Sequence, residues 1–147
     1  MHALFSVLYF LIGTSLALAQ TPRPSRDVCD ANKLTGRPYV LCLEKAMFDS
    51  NRELEALVER IFGFIDMRDD LAAAQRGRWT SSLEEAQVLF VRFRNQECQA
   101  VAPFESSRPP QAPSGGRLAI GSFEERLLCL IDKNVTRTRE LEARYLK

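Results

Sequence analysis

Histidine is almost missing from this chain of 147 residues, and the single one, His2, lies in a segment with its own peculiarity. Residues 1–19 contain no Lys, Arg, Asp or Glu, and Ala3 to Leu18 is nearly all apolar. Ala17-Leu18-Ala19 fits the small-residue cleavage pattern of a secretory signal peptide, so residues 1–19 are expected to be removed on export. The apolar run is short for a bilayer span of about 20 residues and is interrupted at Gly13-Thr14-Ser15. Stable membrane insertion after cleavage is therefore not expected. Loss of His2 leaves residues 20–147 without histidine, which removes Ser-His-Asp and Cys-His nucleophile pairs. It also removes histidine-containing zinc sites, and no C-x-x-C pair stands in for them. No cofactor, metal or catalytic residue is expected, and the sequence does not read as an enzyme.

A concentrated charge is missing as well. The formal net charge is +1, with acidic and basic residues interleaved along the chain. Residues 76–147 carry twelve basic and nine acidic side chains, too small an excess for a nucleic-acid-binding face. Runs of alternating apolar and polar residues, the mark of half-buried strands, do not occur. Four cysteines in an exported chain are expected to form two disulfides.

What is present is helical periodicity. Residues 20–37 hold Pro22, Pro24 and Gly36 among polar residues and read as an irregular entry segment. From Pro38, Met47, Leu54, Leu57, Val58, Ile61, Phe62 and Ile65 recur at spacings of three, four and seven, which predicts a long helix. Its expected end is near Gln75, with Gly77 as terminator. A second helix is expected from "TSSLEE", where Ser81–Glu84 and Ser82–Glu85 are at capping-box distance. Its apolar face would be Leu83, Ala86, Leu89, Phe90 and Phe93. Residues 99–119 contain four prolines and two adjacent glycines, and are expected to form a long proline-rich loop. A third helix, from about Ser122, continues through Phe123, Leu127, Ile131, Val135, Thr138 and Leu141. The expected fold is all-α: one domain, residues 20–147, built as a three-helix disulfide-stapled bundle. Local pairing, Cys29 with Cys42 and Cys98 with Cys129, is the simplest of the three connectivities open to four cysteines.

Within the second helix, "EAQVLFVRFRNQEC" (Glu85 to Cys98) sets Gln87 and Arg94 seven residues apart, on nearly one face. One reading makes Arg94 a target contact. The other, which we prefer, makes both residues half-buried polar links, with Glu97 as the partner that a buried arginine needs. Function is sought instead in the proline-rich loop, where Phe104, Ser106, Arg108 and Arg117 would present an aromatic ring, a hydroxyl and cations. Trp79 is expected to pack half-buried at a helix junction. Asn134-Val135-Thr136 matches a glycosylation sequon.

These residues also carry a resemblance. Ala86-Gln87, Phe90-Val91, Phe93-Arg94-Asn95 and Cys98 follow the spacing Ala-Gln-x-x-Trp-hydrophobic-x-Tyr-Arg-Asp-x-x-Cys of the LprI-like lysozyme-inhibitor domains. Cys129 with Arg137-Thr138-x-Glu140-Leu141, and the Cys29 and Cys42 pair, continue the match. The pattern's Asp-x-x-Leu-Asn-x-x-Tyr appears as Asn51, Leu54, Glu55 and Val58, so only the leucine is kept. The resemblance implies a small exported bacterial helical domain, periplasmic or secreted, with Arg137 joining Gln87 and Arg94 in a structural polar network. It implies binding to lysozyme or another envelope protein, with inhibition by occlusion of the cleft. The alternative is a non-inhibitory envelope or virulence-associated accessory protein.

Overall fold

The computed structural model describes residues 23–102 and 117–146, with the side chains of 117–122 left aside. The expected signal segment 1–19 lies outside the described residues, as do Phe104, Ser106 and Arg108. Four α-helices are described: α1 (Pro24–Val28), α2 (Arg37–Asp66), α3 (Ala73–Gln96) and α4 (Arg117–Tyr145), with a π turn over Glu97–Val101. No strand occurs among the described residues. None of these helices is long and apolar enough to cross a membrane.

The periodic line of α2 turns inward as its spacing requires. Leu43, Leu54, Leu57, Val58, Ile61 and Ile65 are all buried. Gly36 precedes the helix with φ of +63°, a left-handed backbone that favours glycine. Pro38 then occupies the first turn, where its missing N–H costs nothing.

The end of α2 comes earlier than periodicity alone predicts. After Ile65 the apolar line stops, and the Met67 and Arg68 N–H groups donate back to the Gly63 and Ile65 carbonyls. Arg68 grips Asp70 through two hydrogen bonds of 2.6 Å, which fixes the reversal. The Arg76 guanidinium donates to the carbonyls of Arg68 and Leu71. At the start of α3 the Ala72 N–H donates to the Gln75 side chain. Gly77 therefore lies inside α3, as do Ser81 and Ser82. A side chain at Gly77 would meet nothing within 4 Å, so this glycine reflects no close approach.

The ends of the expected 99–119 loop are helical too. Its prolines are confined to 103–113, so residues 99–102 remain free to continue a helical ladder through the π turn. The last helix begins at Arg117, five residues before the expected Ser122. In the entry segment, α1 is an unforeseen short helix. Its Ser25 N–H donates to Asp132 of α4 at 2.8 Å, and Arg23 bonds the same carboxylate at 3.2 Å.

The three long helices form an up-down-up bundle. Leu43 and Ala46 of α2 share one apolar cluster with Leu127 and Ile131 of α4. Leu54, Leu57, Ile61 and Ile65 share a second with Leu141, so α2 and α4 run parallel. Leu83, early in α3, joins the second cluster, whereas Cys98, just beyond α3, bonds Cys129, so α3 runs antiparallel to both. The disulfides are Cys29–Cys42 and Cys98–Cys129, with Cα separations of 6.0 and 5.4 Å. In the loop-entropy account each bridge contributes about 3–4 kcal/mol.

Candidate functional site

Polar residues form a layer between the two apolar clusters, and Arg94 stands at its centre. Only 8% of this arginine is exposed. Its guanidinium donates to Asn134 Oδ1 at 2.6 Å and to Asn51 Oδ1 at 2.9 Å. Its Nε and Nη2 atoms both donate to Asn95 Oδ1, at 3.1 and 2.9 Å. Asn134, only 1% exposed, in turn donates to Ser50 Oγ, and the Ser50 hydroxyl donates to the Met47 carbonyl. One side chain from α3 thereby reaches both α2 and α4. The sequon Asn134-Val135-Thr136 thus has its asparagine locked inside the fold.

Arg94 has no carboxylate within ion-pair distance among the described residues. The expected partner, Glu97, pairs instead with Lys133 at 2.7 Å. Burial holds the Arg94 guanidinium below the usual arginine range, an effect opposed by the charge of Glu55. Asn51 connects the two, since its Nδ2 donates to Glu55 at 2.7 Å while its Oδ1 accepts from Arg94. Positions 51 and 95, where the pattern quoted above carries Asp, are therefore two of the three that hold the guanidinium. In this chain both positions are carboxamides, and the nearby carboxylate, Glu55, stands one helical turn further along α2.

Along the seam of α3 and α4, Arg137 donates to Gln87 Oε1 at 2.9 Å and lies 5.5 Å from the Phe90 ring centroid. Lys133 Nζ lies 5.1 Å from the Phe93 centroid. Gln87, Arg94 and Arg137 are thus all placed at helix contacts, with Gln87 and Arg137 in direct contact and Arg94 in the neighbouring layer. The expected apolar face of α3 is turned differently. Leu83 and Arg94 are the buried residues of α3. Phe90 is half-buried, whereas Ala86, Leu89 and Phe93 are exposed. The inward line passes through Leu83, Gln87, Phe90 and Arg94 to Cys98. Asn134 and Asn51 were not among the residues expected at the site. The available signal was a polar residue on the apolar line of α4, one turn beyond Ile131 and one turn before Thr138.

At the other end of the bundle Trp79 is half-buried, with its ring 5.9 Å from Tyr145 and from the Arg68 guanidinium. Arg117 opens α4, beside the segment that contains Phe104, Ser106 and Arg108. No convergent group of three or more His, Cys, Asp or Glu side chains occurs among the described residues. Comparison with known proteins gives one match to a family, described as lysozyme inhibitor LprI, over residues 29–141. No curated protein and no solved structure matches the chain.

Proposed function

Because the chain belongs to the lysozyme inhibitor LprI family, we propose that it is an exported protein that inhibits a lysozyme-type peptidoglycan hydrolase by occluding its cleft. The family match carries this reading, since it spans all four cysteines and the Arg94 layer. Two disulfides suit an oxidising compartment outside the cytoplasm, periplasmic or secreted. A lysozyme cleft is built around two carboxylates. An inserted cation or hydroxyl is a chemically suitable plug, and Phe104, Ser106, Arg108 and Arg117 supply the groups. Cys98–Cys129 ties together the two helices that flank residues 103–116, which gives such a plug a firm base. The action needs no covalent step, only tight occupation.

The near-neutral charge favours a second reading. A net charge of +1 gives little long-range attraction toward a basic lysozyme. A non-inhibitory accessory protein that holds another envelope partner has no such need. A lysis assay separates the two. The oxidised protein is expected to slow lysozyme lysis of peptidoglycan, and Arg108→Ala with Arg117→Ala to weaken the effect. Unchanged lysis at large molar excess over several lysozyme classes would establish the accessory reading instead.

A further inference from the structure

The rotation of α3 leaves apolar side chains outside. Leu89 is 56% exposed and Phe93 55%, one turn apart on the same helix, with Ala86 a turn before them. Anchors at such spacing are how a helix presents itself to a partner groove. The contact of Lys133 with the Phe93 ring places the Phe93 end of this ridge at the α3–α4 seam. Beside it lies exposed Arg92, and exposed Arg126 is seven residues before Lys133 on the same face of α4. Neither Arg92 nor Arg126 has an ion-pair partner among the described residues; Glu85, exposed one turn before Leu89, has none either and is the opposing charge beside the ridge. Glu97 and Glu140, the carboxylates paired along this seam, are engaged by Lys133 and Arg137. An outward apolar pair of α2, Leu41 and Phe48, differs in this respect. Lys45 and Arg52, which share its face, both pair with Asp49.

We infer that the α3–α4 seam is the docking face for the target, a glycosidase cleft built on two carboxylates. Leu89 and Phe93 are its apolar anchors, and Arg92 and Arg126 its complementary charge. The choice of occupant rests on the proposed inhibitory function and on the opposite sign of the cleft's carboxylates and these exposed arginines. Continuity supports it, because α3 leads into residue 103 and α4 begins at residue 117. The seam therefore ends where the segment bearing Phe104 and Arg108 attaches.

The test is inhibition of lysozyme by the oxidised full chain and its variants, with folding of each verified by circular dichroism and non-reduced peptide mapping. Leu89→Asp and Phe93→Ala are each expected to raise the half-inhibitory concentration about ten-fold or more. Phe48→Ala leaves it unchanged. Reversal of charge in Arg92→Glu with Arg126→Glu weakens binding and inverts its salt dependence, whereas Glu85→Gln beside the ridge strengthens it. Binding also falls for a lysozyme whose two catalytic carboxylates are replaced by amides. Leu89→Asp keeps the test decisive if Phe93→Ala loses its fold, because the Leu89 side chain is largely in solvent. If the wild type inhibits but Leu89→Asp and Phe93→Ala inhibit equally well, the seam is not the docking face and the inhibitory function stands. If the wild type inhibits no lysozyme, both are overturned.

Discussion

α2 and α4 are joined in one way and α3 in another. The parallel pair meets through buried leucines and isoleucines at both ends: Leu43 with Leu127 and Ile131, then Leu57 and Ile61 with Leu141. Helix α3, with 24 residues, contributes one buried leucine and one buried arginine. Beyond the packing of Leu83, Trp79 and Phe90, what holds it is directional: the guanidinium of Arg94 on three asparagines, Gln87 with Arg137, Glu97 with Lys133, and a covalent bond from Cys98. Apolar burial is tolerant of small rotations, because it depends on area removed from water. Hydrogen bonds and a disulfide are not, because they depend on direction and distance. The bundle thus combines an apolar two-helix base with a third helix positioned largely by polar chemistry, and this leaves Leu89 and Phe93 of α3 exposed.

The sharpest way to break that comparison is to make one substitution in both places. Leu57→Ala in α2 is expected to cost about 2–5 kcal/mol in urea unfolding, as a fully buried leucine should. Leu89→Ala in α3 should stay within about 0.5 kcal/mol. Similar losses at both sites would mean that α3 is packed like its neighbours. Next in size is removal of the covalent hold. Cys98→Ala with Cys129→Ala should cost about 3–4 kcal/mol. Amide hydrogen exchange should then rise in α3 before it rises in α2 or α4.

Arg94→Met tests the polar hold itself. It leaves the buried Asn134 oxygen and the half-buried Asn51 oxygen without this donor, at about 2–4 kcal/mol measured by denaturant midpoint. A midpoint unmoved or raised would show that the layer contributes no stability.

The smallest effect has the opposite sign. Asn95→Asp supplies a carboxylate where Arg94 already donates twice, and should stabilise by about 1 kcal/mol at neutral pH. An aspartate paired in this way has a folded-state pKa below its unfolded value of about 3.9. Its contribution is therefore complete above that pH and is lost as pH falls through the folded pKa. A thermal melt at pH 7 and again below about pH 3 checks both the gain and its disappearance.

Several of these features could be read in the sequence. The periodic line from Leu54 to Ile65 turned inward as expected, and the two disulfides are the local pairs. Less legible were the boundaries. Where α2 stops depends on Arg68 and Arg76 finding carbonyl and carboxylate partners in the turn, and such contacts form only after the chain reverses. The pairing of Arg94 was misjudged for a related reason. Glu97 is close in sequence, but Lys133 of α4 claims it, and three asparagines from three helices fill its place. Asn134 looked like part of a sequon and is in fact the least exposed member of the layer.

The residues alone determined that this chain is helical and that two of its long helices each have an apolar side; they made the local cysteine pairing the simplest of three, and the structure decided it. Tertiary structure decided which side of α3 faces in. That helix offers an apolar line through Ala86, Leu89 and Phe93 and a mixed line through Leu83, Gln87 and Arg94. Periodicity ranks the first as the better core. The choice went to the second because α2 and α4 present Asn51, Asn134 and Arg137 to receive it, and a helix's rotation is set by the partners that surround it.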